Sequence, residues 1–160
     1  MLRYHLQKKE REITDQKELL EIIKKGKYLT ISLCRDNEPY IVTLSYGYDD
    51  TKNAFYFHSS IKGLKYEFLR YNPAVCATII EDRGYIMNEC AHAFRSVIIW
   101  GKMCLVETIE EKKHAMDVLL KHLEDNPEKI KQESLSEDRI YKHLGILRLD
   151  ALEINGKWGR

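Results

Sequence analysis

Tyr28-Leu29-Thr30-Ile31-Ser32-Leu33 decides the fold. Leu29, Ile31 and Leu33 alternate with Thr30 and Ser32, the period of a strand with one face buried. Asp36-Asn37 is turn chemistry. A second alternating run follows, with Tyr40, Val42, Leu44, Tyr46 and Tyr48 set against Ile41, Thr43, Ser45 and Gly47. Residues 49–53 make another turn, and 54–58 form a short aromatic strand. Connections this short predict an antiparallel meander of three strands. Val75, Ala77 and Ile79 predict a fourth strand. Residues 94–107 predict a long fifth one, bent by a bulge at Gly101. Residues 144–154 predict the last. Between these, residues 81–93 have the composition of a polar loop and 155–160 that of a glycine-turn tail.

Helices interrupt the strands. Asp15 and Glu18 have capping-box spacing, with Thr14 the alternative cap, and Leu19, Ile22 and Ile23 follow on one face. Gly26 would stop this helix in the left-handed conformation. Leu64, Phe68 and Leu69 define a second helix that Asn72-Pro73 ends. Thr108 and Glu111 form another capping box ahead of Ala115, Met116, Leu119, Leu120 and Leu123. Asn126-Pro127 stops that helix, and the charged stretch 127–140 is a solvated helical or loop excursion. About six antiparallel strands with two or three helices give a mainly β fold with peripheral helices (α+β). A small closed barrel removes exposed strand edges; an open sandwich is the alternative. Residues 1–160 make a single domain.

Composition narrows the function. Lys and Arg number 26 against 25 Asp and Glu, a net charge of +1. That balance disfavours an electrostatic nucleic-acid binder. No apolar run reaches the ~18–20 residues of a membrane span. The charged start MLRYHLQKKERE lacks a secretory signal's apolar core, so a cytoplasmic location is expected. Cys34, Cys76, Cys90 and Cys104 show no C-x-x-C pair, and buried reduced thiols are expected at 34, 76 and 104. Cys90-Ala91-His92 has ligand-like spacing but no second ligand pair, so no metal site is assigned.

Phe57-His58-Ser59-Ser60-Ile61-Lys62-Gly63-Leu64-Lys65 carries the strongest chemical signal. A strand end, two hydroxyls, a glycine and two lysines precede a helix, the components of a phosphate site. The alternative is a solvated strand-to-helix turn. Val42-Thr43-Leu44 would present a planar ring with apolar groups and a hydroxyl, or is ordinary strand core. Arg95, beside the apolar strand, is either functional or a solvated rim charge.

The ordered set resembles the pyridoxamine-phosphate-oxidase-like split-barrel flavoproteins, and among them the nitroimidazole-resistance (Nim-type) branch. Its elements are Pro39 to Tyr48, Tyr56-Phe57-His58-Ser59-Ser60 with Gly63 and Lys65, Asn72-Pro73, Phe94-Arg95-Ser96-Val97 with Gly101, and Asn155-Gly156-Lys157. The resemblance implies an FMN-binding homodimer with two sites shared between subunits. Val42, Thr43 and Leu44 would line the flavin ring. His58, Ser59, Ser60, Lys62, Gly63 and Lys65 would form the phosphate end. Ser96 and Val97, with Trp158 in the tail, would reach the flavin held mainly by the other subunit. Leu64 stands where relatives often carry a basic residue, and Lys62 would compensate for it. Leu152 to Trp158 lacks the arginine–histidine pair of the vitamin oxidases, which speaks against oxidation of vitamin B6.

The expected activity is FMN-dependent reduction of a small organic acceptor, nitroaromatics included, with NADH or NADPH as donor. In the Nim-type branch a histidine at the position of His58 has a redox role; holding phosphate is the other role open to it. The alternatives are a non-catalytic flavin-binding or sensing protein and a haem-binding split barrel with His58 or His92 as ligand. His5, His92, His114, His122 and His143 show no convincing partner in the sequence. Val97-Ile98-Ile99-Trp100 is too apolar for a strand with one wet face. A second copy of the chain, anchored by Trp100, would cover it; the helix from Thr108 is the alternative cover.

Overall fold

The computed structural model describes residues 6–160. Its strands are β1 (Glu12–Ile13), β2 (Tyr28–Arg35), β3 (Glu38–Ser45), β4 (Gly47–Asp49), β5 (Ala54–His58), β6 (Ala74–Ile86), β7 (Ala91–Leu105) and β8 (Ile146–Gly159). Its helices are α1 (Gln16–Lys25), α2 (Leu64–Tyr71), α3 (Ile109–Leu123), α4 (Pro127–Ser134) and α5 (Asp138–His143). All strand pairs are antiparallel, in the order β3-β2-β6-β7-β8-β5-β4, with β1 added to β8. The sheet curls around one core that takes Leu29 and Ile31 from β2, Phe55 and Phe57 from β5, Ile79 from β6 and Val97 from β7. This is the expected split barrel, mainly β with peripheral helices.

The alternation of Leu29, Ile31 and Leu33 sets the register, and all three side chains lie inside. The β2–β3 hairpin forms as expected, Tyr28 opposite Ser45. The meander does not continue. The second alternating run is two strands, and β5 pairs with β8 instead of β3. Tyr46 breaks the run. Its ring is fully buried, its hydroxyl donates to the Ile23 carbonyl, and its N–H donates to the Lys27 carbonyl. Gly47 then passes so close to the α3 backbone at Leu119 that no Cβ fits. The chain is thus diverted from one end of the sheet to the other.

Residues 81–93 are a long hairpin, not a loop. Strands β6 and β7 continue to Ile86 and Ala91, with a register shift between Asp82 and Tyr85. The sequence looks polar there because the hairpin projects past the core and both its faces are wet. Likewise the tail is the end of β8, with Lys157 opposite both Glu12 and Ser96. The bulge at Gly101 is present: Leu152 is the extra residue on β8, and a Cβ at 101 would overlap the Asp150 backbone.

Asp15 caps α1, accepting from the Lys17 N–H at 2.9 Å. Gly26 does not take the expected left-handed form; it is extended at φ −62°, where a Cβ would strike Tyr46 and Ile79. Helix α3 lies over β4 and β5 and builds a second core with α5. Both faces of β5 are therefore covered, Phe55 and Phe57 inside the barrel and Ala54 and Tyr56 beneath α3. Helix α3 is not the cover of β7. The outer face of the sheet presents Ile41, Ile80 and Leu152 to solvent, with Ile98 and Trp100 half-buried beside them. The cysteines face the same way. Cys34 and Cys104 are exposed and Cys76 is half-buried, because each sits one residue out of phase with an inward neighbour.

Candidate functional site

Strand β5 is buried from Ala54 to Phe57 and surfaces at His58. The Ser59 N–H donates to the Gly145 carbonyl at 3.0 Å, and a side chain at 145 would collide with the Ser59 carbonyl and with Ile61. Residue 145 must be glycine for the turn to dock. Just upstream, the buried Lys112 donates from Nζ to the carbonyls of Tyr141 (3.1 Å) and Lys142 (3.4 Å). The turn itself is closed by Ser60, whose Oγ accepts from the Lys62 N–H at 3.1 Å.

Gly63 is the N-cap of α2. Its φ of +95° suits glycine, and open space surrounds its missing Cβ. No side chain caps the helix. The Tyr66 and Glu67 amides bond the Gly63 carbonyl, but those of Leu64 and Lys65 lack the kind of partner that Asp15 supplies to α1, and the positive end of the helix faces outward. Lys62 and Lys65 stand within two positions of Gly63. Glu67, in the same turn, is drawn toward Arg35 at 3.8 Å. Ser59, Ser60, the amides and the lysines make a cradle suited to a phosphate dianion.

Strand β3 is one end of the sheet and approaches β5 across the split. Its second edge has no strand partner among the described residues, so backbone groups along it are available to a planar ring. Val42 and Leu44 pack inward on the core, while Thr43 faces out and shares a 3.1 Å hydrogen bond with Thr30. At this edge Val42 and Leu44 offer backbone and Thr43 offers a side chain.

Ser96, Val97 and Trp158 lie elsewhere. Val97 is in the barrel core. Ser96 faces outward and lines a hollow of about 420 Å³ with Thr78, Ile80, Asp82, His92 and Lys157. Trp158 is 40% exposed. His58 pairs with Ile146, so Trp158 is 12 residues further along β8. That is up to roughly 40 Å of strand. The chain thus gathers residues 58–65 near β3, and Ser96 near Trp158, but does not bring the two groups together.

Several polar contacts were not visible in the sequence. His92 Nε2 lies 2.7 Å from Asp82, in the outer-face hollow. Arg95 is no rim charge: it is buried and bonds Glu81 at 2.7 Å, Glu18 at 3.2 Å and Glu21 at 3.4 Å, tying α1 to the barrel. The Arg95 guanidinium, helped by Arg83, holds the Glu81 carboxyl at a pKa of about 2. His114 is held by Asp49 at 2.6 Å. Burial works to raise the Asp49 pKa, but hydrogen bonds from Thr51, His114 and the Lys52 N–H outweigh it and leave it at about 2. His122 sits 2.6 Å from the Gly26 carbonyl, and burial lowers its pKa. Only proximity across the fold reveals these pairs, since their partners are 10 to 96 residues apart.

Comparison with known proteins agrees with this architecture. A family model described as pyridoxamine 5'-phosphate oxidase matches residues 15–158. No curated protein matches the chain. A candidate 5-nitroimidazole antibiotic resistance protein from Bacteroides thetaiotaomicron superposes with a TM-score of 0.76 at 24% identity, over 92% of this chain and 87% of that one. A flavocytochrome from Azotobacter vinelandii gives 0.80 at 15% identity, over 97% and 72%. An FAD-binding protein from Mesorhizobium loti gives 0.64 at 21% identity, over 94% and 96%.

Proposed function

The chain belongs to the pyridoxamine 5'-phosphate oxidase family, and on that premise we propose that it holds FMN between two copies of itself and passes electrons from NADH or NADPH to a small organic acceptor. The observation that carries this is the uncapped start of α2. It lies beside Ser59, Ser60 and Lys65 and next to the open edge of β3, as a phosphate-bearing planar cofactor requires. Bound there, the flavin would supply reversible two-electron chemistry. The protein's share is to hold the phosphate with the α2 amides and Lys65, to set the ring against β3, and to place His58 where it can hold phosphate or move a proton.

Ser96 and Trp158 join this site only from a second subunit, because β8 separates them from the same chain's residues 58–65. The exposed Ile41, Ile80 and Leu152, with Trp100 among them, favour such a partner. The absence of an arginine–histidine pair in residues 152–158 argues for an acceptor other than the B6 vitamer. The similarity to an FAD-binding protein and to a flavocytochrome makes FAD and haem the competing cofactors.

The absorption spectrum of purified protein separates flavin from haem, and Lys65→Ala tests the site. We expect FMN affinity to fall by about 1.5–3 kcal/mol, the range of a charge-assisted hydrogen bond, without unfolding. Equal affinity in parent and variant removes Lys65 from the site. Oxidation of NADH or NADPH with a nitroaromatic acceptor then separates an enzyme from a flavin carrier.

A further inference from the structure

A ligand site of another character lies at the far end of β8 from the α2 turn. There the Phe94 ring lies across Gly159, where no Cβ would fit, and Lys157 Nζ stands 5.6 Å from the ring centroid. Trp158 projects beside it. A hollow of about 310 Å³ is lined by Lys8, Arg11 and Lys157 with Phe94 and Trp158, and no carboxylate lines it. A second hollow, of about 430 Å³, continues past Trp158 to Arg160 and Arg83. The one acid there, Glu18, is taken by Arg95 at 3.2 Å, and Arg83 is held by Glu81 at 2.6 Å. Lys8, Arg11, Lys157 and Arg160 have no ion-pair partner among the described residues.

A chain of net charge +1 thus gathers four uncommitted cations around two accessible rings. Mutual repulsion makes that arrangement unfavourable on its own, and the paired cations elsewhere show that carboxylates were available. Cations alone would suit inorganic anions. An exposed indole beside them adds a stacking surface for a flat heterocycle. Both features together select a ligand that carries a ring and more than one negative charge.

We propose that this end of the barrel binds an adenosine diphosphate group, the adenine on Trp158 and the diphosphate among Lys8, Arg11 and Lys157. Two molecules bring that group to a flavoprotein of this kind, the nucleotide half of FAD and the adenylate half of NADH or NADPH. The choice between them rests on the flavin assignment above; the site itself does not, since ADP alone is the probe.

ADP titrated into the purified full-length chain, followed by calorimetry, should bind saturably, and inorganic pyrophosphate should bind at least tenfold more weakly. Arg11 and Lys157 are half-buried but hold no ion pair among the described residues, and glutamine keeps most of their aliphatic stems, so Arg11→Gln with Lys157→Gln should leave the melting temperature nearly unchanged. This double variant should weaken ADP by about tenfold or more. Trp158→Ala should weaken ADP and leave pyrophosphate unaffected. No ADP binding at millimolar concentration, pyrophosphate binding as tight as ADP, or variants equal to the parent each overturn the proposal. If FAD is the source, the parent prefers FAD to FMN and the double variant loses that preference. If the electron donor is the source, the FAD-to-FMN ratio stays constant and the donor KM rises. A double variant that changes neither quantity overturns the assignment even where flavin binds normally.

Discussion

Lys112 offers the sharpest test of how the fold supports the candidate site. It is 8% exposed, and no carboxylate among the described residues pairs with it; its Nζ donates to two carbonyls at the end of α5 instead. Lys112→Met preserves most of the side chain's volume and removes the donor. The Tyr141 carbonyl contact is buried, and losing a charged donor there costs about 1.5–3 kcal/mol. The Lys142 contact is longer and partly wet, adding roughly 0.5–1 kcal/mol. Replacing a buried ion pair by a hydrophobe can be neutral, because both charges leave together. Here the acceptors are backbone and stay behind, the Tyr141 carbonyl keeping only the 3.3 Å bond from the Leu144 N–H, so destabilisation prevails. The sum of about 2–4 kcal/mol corresponds to a fall in melting temperature of roughly 5–15 °C for a chain of this size. Urea unfolding of parent and variant measures it directly. Because α5 leads into Gly145, which docks Ser59, a stably folded Lys112→Met should also bind FMN more weakly. A variant that melts within a degree of the parent would show that water reaches those carbonyls, and refute the clamp.

The remaining predictions concern chemistry, assembly and pH. His58→Asn should lower FMN affinity and leave turnover at saturating cofactor nearly intact if His58 only holds phosphate. A fall of about 10²-fold with loss of the pH dependence near neutrality marks a proton donor, and rate–pH profiles of both proteins decide. Trp100→Glu should give the light-scattering mass of one chain and lose FMN; a monomeric parent that binds FMN stoichiometrically refutes the shared site. Asp49 and Glu81 both have folded pKa values of about 2, below their ordinary 3.8 and 4.5. Their unfolded forms bind protons more readily, so the stability they supply is complete above about pH 4.5 and lost as pH falls toward 2. Melting temperature should be flat above pH 5 and drop below 4.5, and Glu81→Gln should lower it at neutral pH and shallow that drop.

The legible parts of the sequence were those set by local chemistry. Asp15 and Thr108 cap helices because their oxygens reach amides two or three residues on. Gly101 marks a bulge because the β8 backbone crowds it. Long-range partners were not legible. Nothing near Tyr46 says that its hydroxyl will find Ile23, and so nothing announces that a nine-residue alternating run is two strands at opposite ends of a sheet. Polar composition misled at residues 81–93, since a strand projecting beyond its core has the sequence of a loop. It misled again at Arg95, which looks solvated until Glu18, Glu21 and Glu81 converge on it. The capping box at Thr108 was half right: Glu111 turns away from its cap to meet Arg148 and Tyr56.

The same limit applies to the candidate site, and it explains why the two groups of candidate residues carried different signals. Residues 58–65 form a contiguous strand end, turn and helix start, so their spacing alone suggested a phosphate. Ser96 and Trp158 are single residues on long strands and mean little until the register sets Ser96 opposite Lys157. That register places them up to twelve β8 residues from Ile146, too far to share one ligand with His58 in the same chain. A closed single-chain site would need β8 to be short. Its 14-residue length, all but Ile146 and Leu152 paired with β7, instead favours completion by a neighbour. The exposed Ile41, Ile80 and Leu152 lie on the face that such a neighbour would cover. Cofactor binding and dimerisation should therefore be linked: each flavin bound adds contacts to both subunits, and dilution should release flavin and separate subunits together.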